Sequence, residues 1–313
     1  MAANSLVSVV IPAYNCAQFA ADALDSVFAQ SYRPIEVIVV DDGSTDATGQ
    51  VIGTYRDVRY IGQANRGPSA ARNAGIGAAQ GEYIAFLDAD DVWMPEKLSQ
   101  QIALLESCPQ AGLAFANMRL SSEGNDQELS MFEKYNFTGA FFGHESLVVD
   151  APSKLVRANF IPTSTVIARK RILIDAGGFD ENFRKAEDWD LWLRIALRWP
   201  IAYTPDLLML KRVHDVNTSR DAEGMNEAAL QVLEKLTRDN HALLLKLGVD
   251  ITGALRDGYR NLGYFYLRQV ALAQARTALW KSLTLGFHMR ALMYLLSTLM
   301  GRRFVGSVVR ARG

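Results

Sequence analysis

Leu6-Val-Ser-Val-Val-Ile-Pro12 and Ile35-Glu-Val-Ile-Val-Val40 are β-branched runs with almost no polar alternation. Strands with no wet face belong in a sheet covered on both sides, and such sheets are largely parallel because crossover helices supply the covering layers. Between the two runs Phe19, Ala20, Ala23, Leu24, Val27 and Phe28 recur at helical spacing, which predicts a helix over residues 17–30, and Pro34 separates it from the next strand. The alternation continues. Helices are predicted over 46–55 and 69–79, and strands over 58–61, 83–87, 112–116 and 163–168. Another helix opens at Pro95 with Leu98, Ile102 and Leu105 in its stripe, and an amphipathic helix over 188–199 is stopped by Pro200. This is the α/β signature.

Residues 121–143 lose periodicity despite Phe132, Tyr135, Phe137, Phe141 and Phe142, and read as an irregular specificity region. After His214 the patterns over 223–247 and 250–285 are long and helical. Asn261-Leu-Gly-Tyr264 followed by Ala271, Ala275 and Ala278 resembles one tetratricopeptide-type hairpin, without a second copy to stack on it. The ends differ in charge. Residues 258–313 contain nine basic and no acidic residues, so the rest of the chain carries −10 against an overall −1.

Composition excludes several classes. With 313 residues, 49% hydrophobic and 21% charged, the chain reads as a soluble globular protein of about two domains, not a collagenous, coiled-coil or disordered one. Cys16 and Cys108 lie too far apart for a metal-ligand spacing or a disulfide framework, so a reducing, cytoplasmic compartment is expected. The first apolar run lacks a basic flank and is too short for a signal peptide, and no stretch reaches the roughly 20 apolar residues of a membrane span.

Buried parallel strands deliver the residues that follow them to the carboxyl edge of the sheet, where open α/β sheets bind ligands. Asp88-Ala-Asp90 presents alternate carboxylates to one side of an extended segment, an arrangement that calls for a cation between them. Hard oxygen ligands holding a diphosphate point to Mg²⁺ or Mn²⁺; an acidic loop before the Pro95 helix is the plainer alternative. Asp41-Asp-Gly-Ser-Thr-Asp46 supplies an N-cap through Ser44 or Thr45, yet paired aspartates ending an apolar strand also suit the N–H and hydroxyl groups of a nucleoside, with Tyr14 as a stacking face. Gly67-Pro-Ser-Ala-Ala-Arg-Asn73 reads as close helix packing plus an anion contact by Arg72. In Glu187-Asp-Trp-Asp190, Asp188 is either a helix-dipole partner or a general base. His214 is either a surface residue or a third metal or phosphate ligand.

These motifs, in this order and spacing over residues 6–215, resemble the family 2 glycosyltransferases, the large inverting GT-A group. The resemblance implies a GT-A fold, a Rossmann-like mixed sheet flanked by helices; the long helical patterns after His214 lie outside the family core and add an α-helical appendage at the C-terminus. It implies that residues 1–117 form the nucleotide-sugar half and 118–219 the acceptor and catalytic-base half, while charge and periodicity mark 220–313 as a separate basic helical region. Pro12, Tyr14, Asn15 and one or both of Asp41 and Asp42 would hold the base, with Arg72, Asp88 and Ala89 on the nucleotide-sugar side. Asp90 and His214 would bind Mn²⁺ or Mg²⁺, and Asp188 would deprotonate the acceptor. The implied reaction is inverting transfer of one sugar from a nucleotide diphosphate sugar, most often uridine-linked, to a glycan or lipid-linked saccharide in surface polysaccharide or glycoconjugate synthesis. No Gln-x-x-Arg-Trp element follows, which favours single transfers over polymer synthesis.

Two alternatives compete with this function: a sugar nucleotidyltransferase, which wants a glycine-rich loop where Pro12-Ala-Tyr-Asn15 stands, and a non-catalytic scaffold on a degenerate transferase domain. The G-x-G-x-x-G of an oxidoreductase is absent. Apolar residues 287–300, with Arg290 inside and Arg302-Arg303 after, read equally as a face packed on earlier helices and as a segment peripheral on an anionic membrane surface. Nucleic acid is not an expected partner.

Overall fold

The computed structural model describes residues 5–121, 129–137, 139–143, 146–213 and 221–299. It divides into two compact units, one of Met1–Ala151 with Asn159–Asn217, the other of Pro152–Ala158 with Thr218–Gly313.

The first unit is an α/β layer structure. Its first half runs β1 (Val7–Ala13), α1 (Ala20–Phe28), β2 (Ile35–Asp41), α2 (Thr48–Ile52), β3 (Val58–Gly62), α3 (Pro68–Ala78), β4 (Tyr83–Phe86), β5 (Asp91–Trp93) and α4 (Lys97–Ser107). Its second half runs β6 (Leu113–Ser121), α5 (Met131–Lys134), α6 (Gly139–Phe142), α7 (Ala151–Leu155, which crosses into the second unit), a 3-10 turn (Thr163–Thr165), β7 (Ile167–Arg169), α8 (Lys170–Asp175), α9 (Glu187–Ala196) and β8 (Ile201–Arg212). The eight strands form one sheet in the order β3-β2-β1-β4-β7-β6-β8-β5. The four on the β3 side are mutually parallel; β7 runs antiparallel to β4 and β6, and β5 antiparallel to β8, so the sheet is mixed.

The first runs are buried as their composition demands: Val7, Val9, Val10, Ile38 and Val40 are fully enclosed. Small residues on α3 let it lie directly on β1, since a Cβ at Gly75 would collide with Val10. Gly67, just before α3, has a φ of 91°, a conformation that L side chains rarely adopt.

Several boundaries differ from expectation. α1 begins three residues later than predicted, and Pro95 precedes α4 instead of opening it. Residues 163–165 form a 3-10 turn where a strand was expected, because Thr165 Oγ1 and the Thr165 and Val166 amides are bonded to local carbonyls of Pro162 and Thr163. The described part of 121–143 is not merely irregular. Phe132, Phe137 and Phe142 pack with Phe115, Phe160 and Tyr203 at centroid separations of 4.6 to 6.5 Å, a second core on the β6 side.

The second unit is helical: α10 (Ala222–Lys246), α11 (Ile251–Arg268), α12 (Leu272–Leu285) and α13 (Met289–Leu299). Asp221 and Asp250 cap the first two through the amides of Gly224 and Gly253. α11 and α12 form a hairpin whose close approach is set at Gly263, where a Cβ would meet Leu279 Cγ at 2.6 Å.

Candidate active site

At the carboxyl ends of the parallel strands, register brings the aspartates to one edge. Ala13 ends β1 beside Asp41, and the Asp42 amide donates to the Ala13 carbonyl at 2.8 Å. Asp41 and Asp42 are both buried, so their carboxylates need donors. Asp41 accepts from the Ser44 amide at 2.8 Å and Tyr60 Oη at 2.7 Å. Asp42 accepts from Gln63 Nε2 at 2.7 Å and from the amides of Arg66 and Gly67 at 2.9 and 2.7 Å, which fixes the loop leading into α3. Each carboxylate has about four acceptor positions, so both keep capacity for a further donor.

Asn15, in the left-handed region at φ 47°, joins the loop after β1 to this turn. Its amide donates to Ser44 Oγ at 3.0 Å and its Oδ1 accepts from the Thr45 amide at 2.8 Å. Ser44 and Thr45 therefore do not cap α2. The N-cap position is Ala47, which has no side-chain cap, and Asp46 just before it accepts from the amide and hydroxyl of Thr48, the first residue of the helix. Pro12 lies within β1, and Tyr14, just past it, is half exposed.

Asp88, Ala89 and Asp90 form the turn between β4 and β5, closed by the Asp91 amide donating to the Asp88 carbonyl at 3.0 Å. The sequence suggests Arg72 as a contact for a bound anion; in the structure its guanidinium is buried and its anions are the protein's own carboxylates. NH2 pairs with Asp88 Oδ1 and NH1 with Glu187 Oε1, both at 2.7 Å. One side chain of α3 thus ties the Asp88 turn to the start of α9. Burial alone would raise the Asp88 pKa, but the charge and hydrogen bonds of Arg72 hold it below the ordinary carboxylate value.

The three acids opening α9 have three different environments. Glu187 faces Arg72, and Asp190 is paired within the helix to Arg194 at 2.6 Å. Asp188 accepts from Thr163 Oγ1 at 3.0 Å, Asn159 Nδ2 at 3.2 Å and its neighbour's amide, that of Trp189, at 2.7 Å. Burial, then the adjacent Glu187, push Asp188 up to about 6 despite the opposing Arg72. The helix is entered from Ala186 at φ 55°, a left-handed position unusual for a residue with a Cβ.

Four contributors escaped the sequence reading. Asn159 and Thr163 orient Asp188. Ser164 links both halves, accepting from the Asp88 amide at 3.0 Å and donating to Asp91 at 2.6 Å. Lys211 stands opposite Asp91 in the β5–β8 register. Burial would lower its pKa, but Asp91, Asp88, Asp90 and Asp188 together raise it, so this ammonium lies in the field of all four acids. The only signal for it in the sequence was a lysine ending an apolar strand. His214 falls outside the described residues.

The donor set suits a hard divalent cation: carboxylate oxygens dominate, and Asp91 Oδ1 is buried with no hydrogen-bond partner. Among the described residues no three His, Cys, Asp or Glu side chains form a ready-made metal cluster. The residues that could hold such an ion are the acids of the β4–β5 turn, Asp90 among them, with further ligands from substrate phosphates and water.

Comparison with known proteins agrees with this geometry. Residues 8–156 match the family model described as glycosyl transferase family 2. An *Escherichia coli* protein named UDP-Glc:alpha-D-GlcNAc-diphosphoundecaprenol beta-1,3-glucosyltransferase WfaP is 31% identical over 196 residues, covering 61% of this chain and 70% of its own. An uncharacterized glycosyltransferase of *Rickettsia typhi*, RT0329, is 28% identical over 276 residues, covering 86% and 85%. Among solved structures, *S. aureus* TarS 1-349 in complex with UDP-GlcNAc superposes with a TM-score of 0.70 at 19% identity, covering 98% of this chain and 92% of that one. The mannosyltransferase PcManGT of *Pyrobaculum calidifontis*, in complex with GDP-Man and Mn²⁺, gives 0.61 at 20% identity, covering 98% and 84%. The mixed sheet with helices on its faces is therefore the GT-A fold, and the chain is a glycosyltransferase belonging to family 2.

Proposed function

We propose that the chain performs inverting transfer of a single sugar from a nucleotide diphosphate sugar to a hydroxyl of a glycan or lipid-linked saccharide, in the synthesis of a surface polysaccharide or glycoconjugate. The observation that carries this reading is Asp188: a half-buried, hydrogen-bonded carboxylate pushed up to about 6, next to Glu187, which Arg72 ties to the Asp88 turn. A base must be deprotonated at working pH yet basic enough to take a proton, and a value near 6 meets both demands.

In this mechanism Asp188 accepts the acceptor's hydroxyl proton as its oxygen attacks the anomeric carbon. The bond from that carbon to the diphosphate breaks on the opposite face, and the nucleotide leaves with the electron pair. Thr163 and Asn159 hold the carboxylate in position. Pro12, Tyr14, Asn15, Asp41 and Asp42 hold the base, and Asp88 and Ala89 lie along the ribose side. Arg72 acts as a positioning residue. Lys211 offers a fixed positive charge to the diphosphate. Mn²⁺ or Mg²⁺, bound by Asp90 and, in this reading, His214, would supply further positive charge to the leaving group. Residues 1–117 would thus serve the donor and 118–219 the acceptor and base.

The named relatives support the donor class. WfaP's name specifies a UDP-sugar, and the TarS and PcManGT complexes contain UDP-GlcNAc and GDP-Man with Mn²⁺. A thermal-shift panel of UDP, GDP, dTDP and CDP, each with and without Mn²⁺ or Mg²⁺, tests the reading. One nucleotide at 100 times its Kd should stabilise by about 2.7 kcal/mol in a metal-dependent manner. Asp90→Ala should remove the metal dependence; retention would contradict the metal assignment. Stabilisation by none of the four would favour the scaffold alternative.

A further inference from the structure

The end of the helical unit leaves apolar surface uncovered. Trp280, Phe287, Met289, Met293, Leu296 and Leu299 are each 49 to 70% exposed, six of the fifteen exposed large hydrophobic side chains among the described residues, all within twenty positions. Four of them follow helical periodicity. Met289, Met293, Leu296 and Leu299 stand at i, i+4, i+7 and i+10 of α13, while its Ala291, Ser297 and Thr298 are buried. The orientation of the helix is fixed by contacts on its inner side: Tyr264 stacks on Tyr294 with centroids 4.9 Å apart, and Arg276 donates to Thr298 Oγ1 at 3.0 Å and to the Thr298 carbonyl at 2.8 Å. The packing explanation for this apolar stretch therefore accounts for one face of α13 and leaves the other without a covering element among the described residues. A contiguous exposed apolar face of this kind marks an interaction surface.

Charge identifies the partner. The only charged residue in α13 is Arg290, exposed, and Arg268, Arg276 and Lys281 on α11 and α12 are exposed as well. From 258 to the end the sequence holds no acid, and the residues after α13 add Arg302, Arg303, Arg310 and Arg312. A second copy would bring two acid-free basic surfaces together. An anionic lipid surface answers both features at once, because apolar side chains enter the acyl boundary while arginine and lysine meet the headgroups. We infer that the exposed face of α13, with Trp280 and Phe287, docks this chain onto the surface of a bilayer containing anionic phospholipid. No helix among the described residues is long and apolar enough to cross a membrane, so docking is interfacial. The inference goes beyond the transfer chemistry and does not depend on the identity of the acceptor.

The test is co-sedimentation of the full chain with vesicles of phosphatidylcholine alone and of phosphatidylcholine mixed with phosphatidylglycerol. Binding is expected to the mixed vesicles, to fall with added salt, and to drop on the order of tenfold in Leu296→Glu, whose charge would enter the interface. Arg290→Glu should weaken binding less. Both variants carry exposed substitutions, and unchanged circular dichroism and nucleotide-induced thermal shift would verify their fold. Absence of wild-type binding to the mixed vesicles, equal binding to neutral ones, or undiminished binding by Leu296→Glu would overturn the inference. So would concentration-dependent self-association abolished by Leu296→Glu without any vesicle binding, which would assign the face to a second copy. Because nucleotide binding is read separately, failure here is distinguishable from failure of the proposed function.

Discussion

At the carboxyl edge of the sheet, Asp41, Asp42, Asp88 and Asp91 lie beside the enclosed strands β1, β2 and β4, whereas from Trp280 of α12 through α13 the unfavourably placed groups are apolar and face outward. Each arrangement opposes stability, one by desolvating charge and the other by hydrating hydrocarbon. The first is offset inside the molecule: Arg72 answers Asp88 and Glu187, backbone amides answer Asp42, and Lys211 lies in the field of four acids. The second has no internal answer among the described residues. An acid answered inside the molecule keeps a fixed position without any ligand, whereas the exposed apolar face, in the docking inferred above, finds its answer outside the chain.

Removing the internal compensation should have the largest consequence for stability. Arg72→Met leaves Asp88 and Glu187 facing each other without their cation, and the loss of one partner from a buried ionic group costs about 3–5 kcal/mol. Denaturant unfolding should show this, and Glu187→Gln in the same chain should restore part of it. Full stability of the single variant would mean that the ion pairs contribute nothing and the contrast between the two regions fails.

A smaller effect is expected from Lys211→Met. If its ammonium serves the diphosphate, UDP affinity measured by calorimetry should fall about tenfold, or roughly 1.4 kcal/mol, with the larger drop in the absence of added Mn²⁺. A variant that binds UDP as tightly as the wild type, with and without the ion, would reduce Lys211 to a structural counterion of Asp91.

Much of this architecture is legible in the amino-acid sequence alone. Strand runs such as 6–12 and 35–40 can only be buried on both faces, and the acids that follow them inherit the sheet edge. What could not be read was pairing across the chain. Arg72 looked like a contact for a bound anion because Glu187 lies 115 positions away, and local patterns carry no information about such a meeting. Lys211 acquired its meaning only from the antiparallel register with β5. The aromatics of 132–142 read as part of an irregular specificity region because their partners Phe115, Phe160 and Tyr203 come from three distant segments. In the C-terminal helices the periodicity gave the elements, but which stripe of α13 was covered depended on tertiary packing.

The most direct test of the account is the pH dependence of transfer, kcat/KM measured from pH 4.5 to 8 for the wild type beside Asp188→Asn. With Asp188 as the base, wild-type activity should fall as pH drops through about 6, because protonation removes the acceptor of the hydroxyl proton. Asp188→Asn should bind donor nearly as tightly yet transfer about 10²- to 10⁴-fold more slowly, with the limb near pH 6 gone. Undiminished transfer by the asparagine variant, or the same acid limb in both proteins, would show that another group takes the proton and would contradict the proposed mechanism.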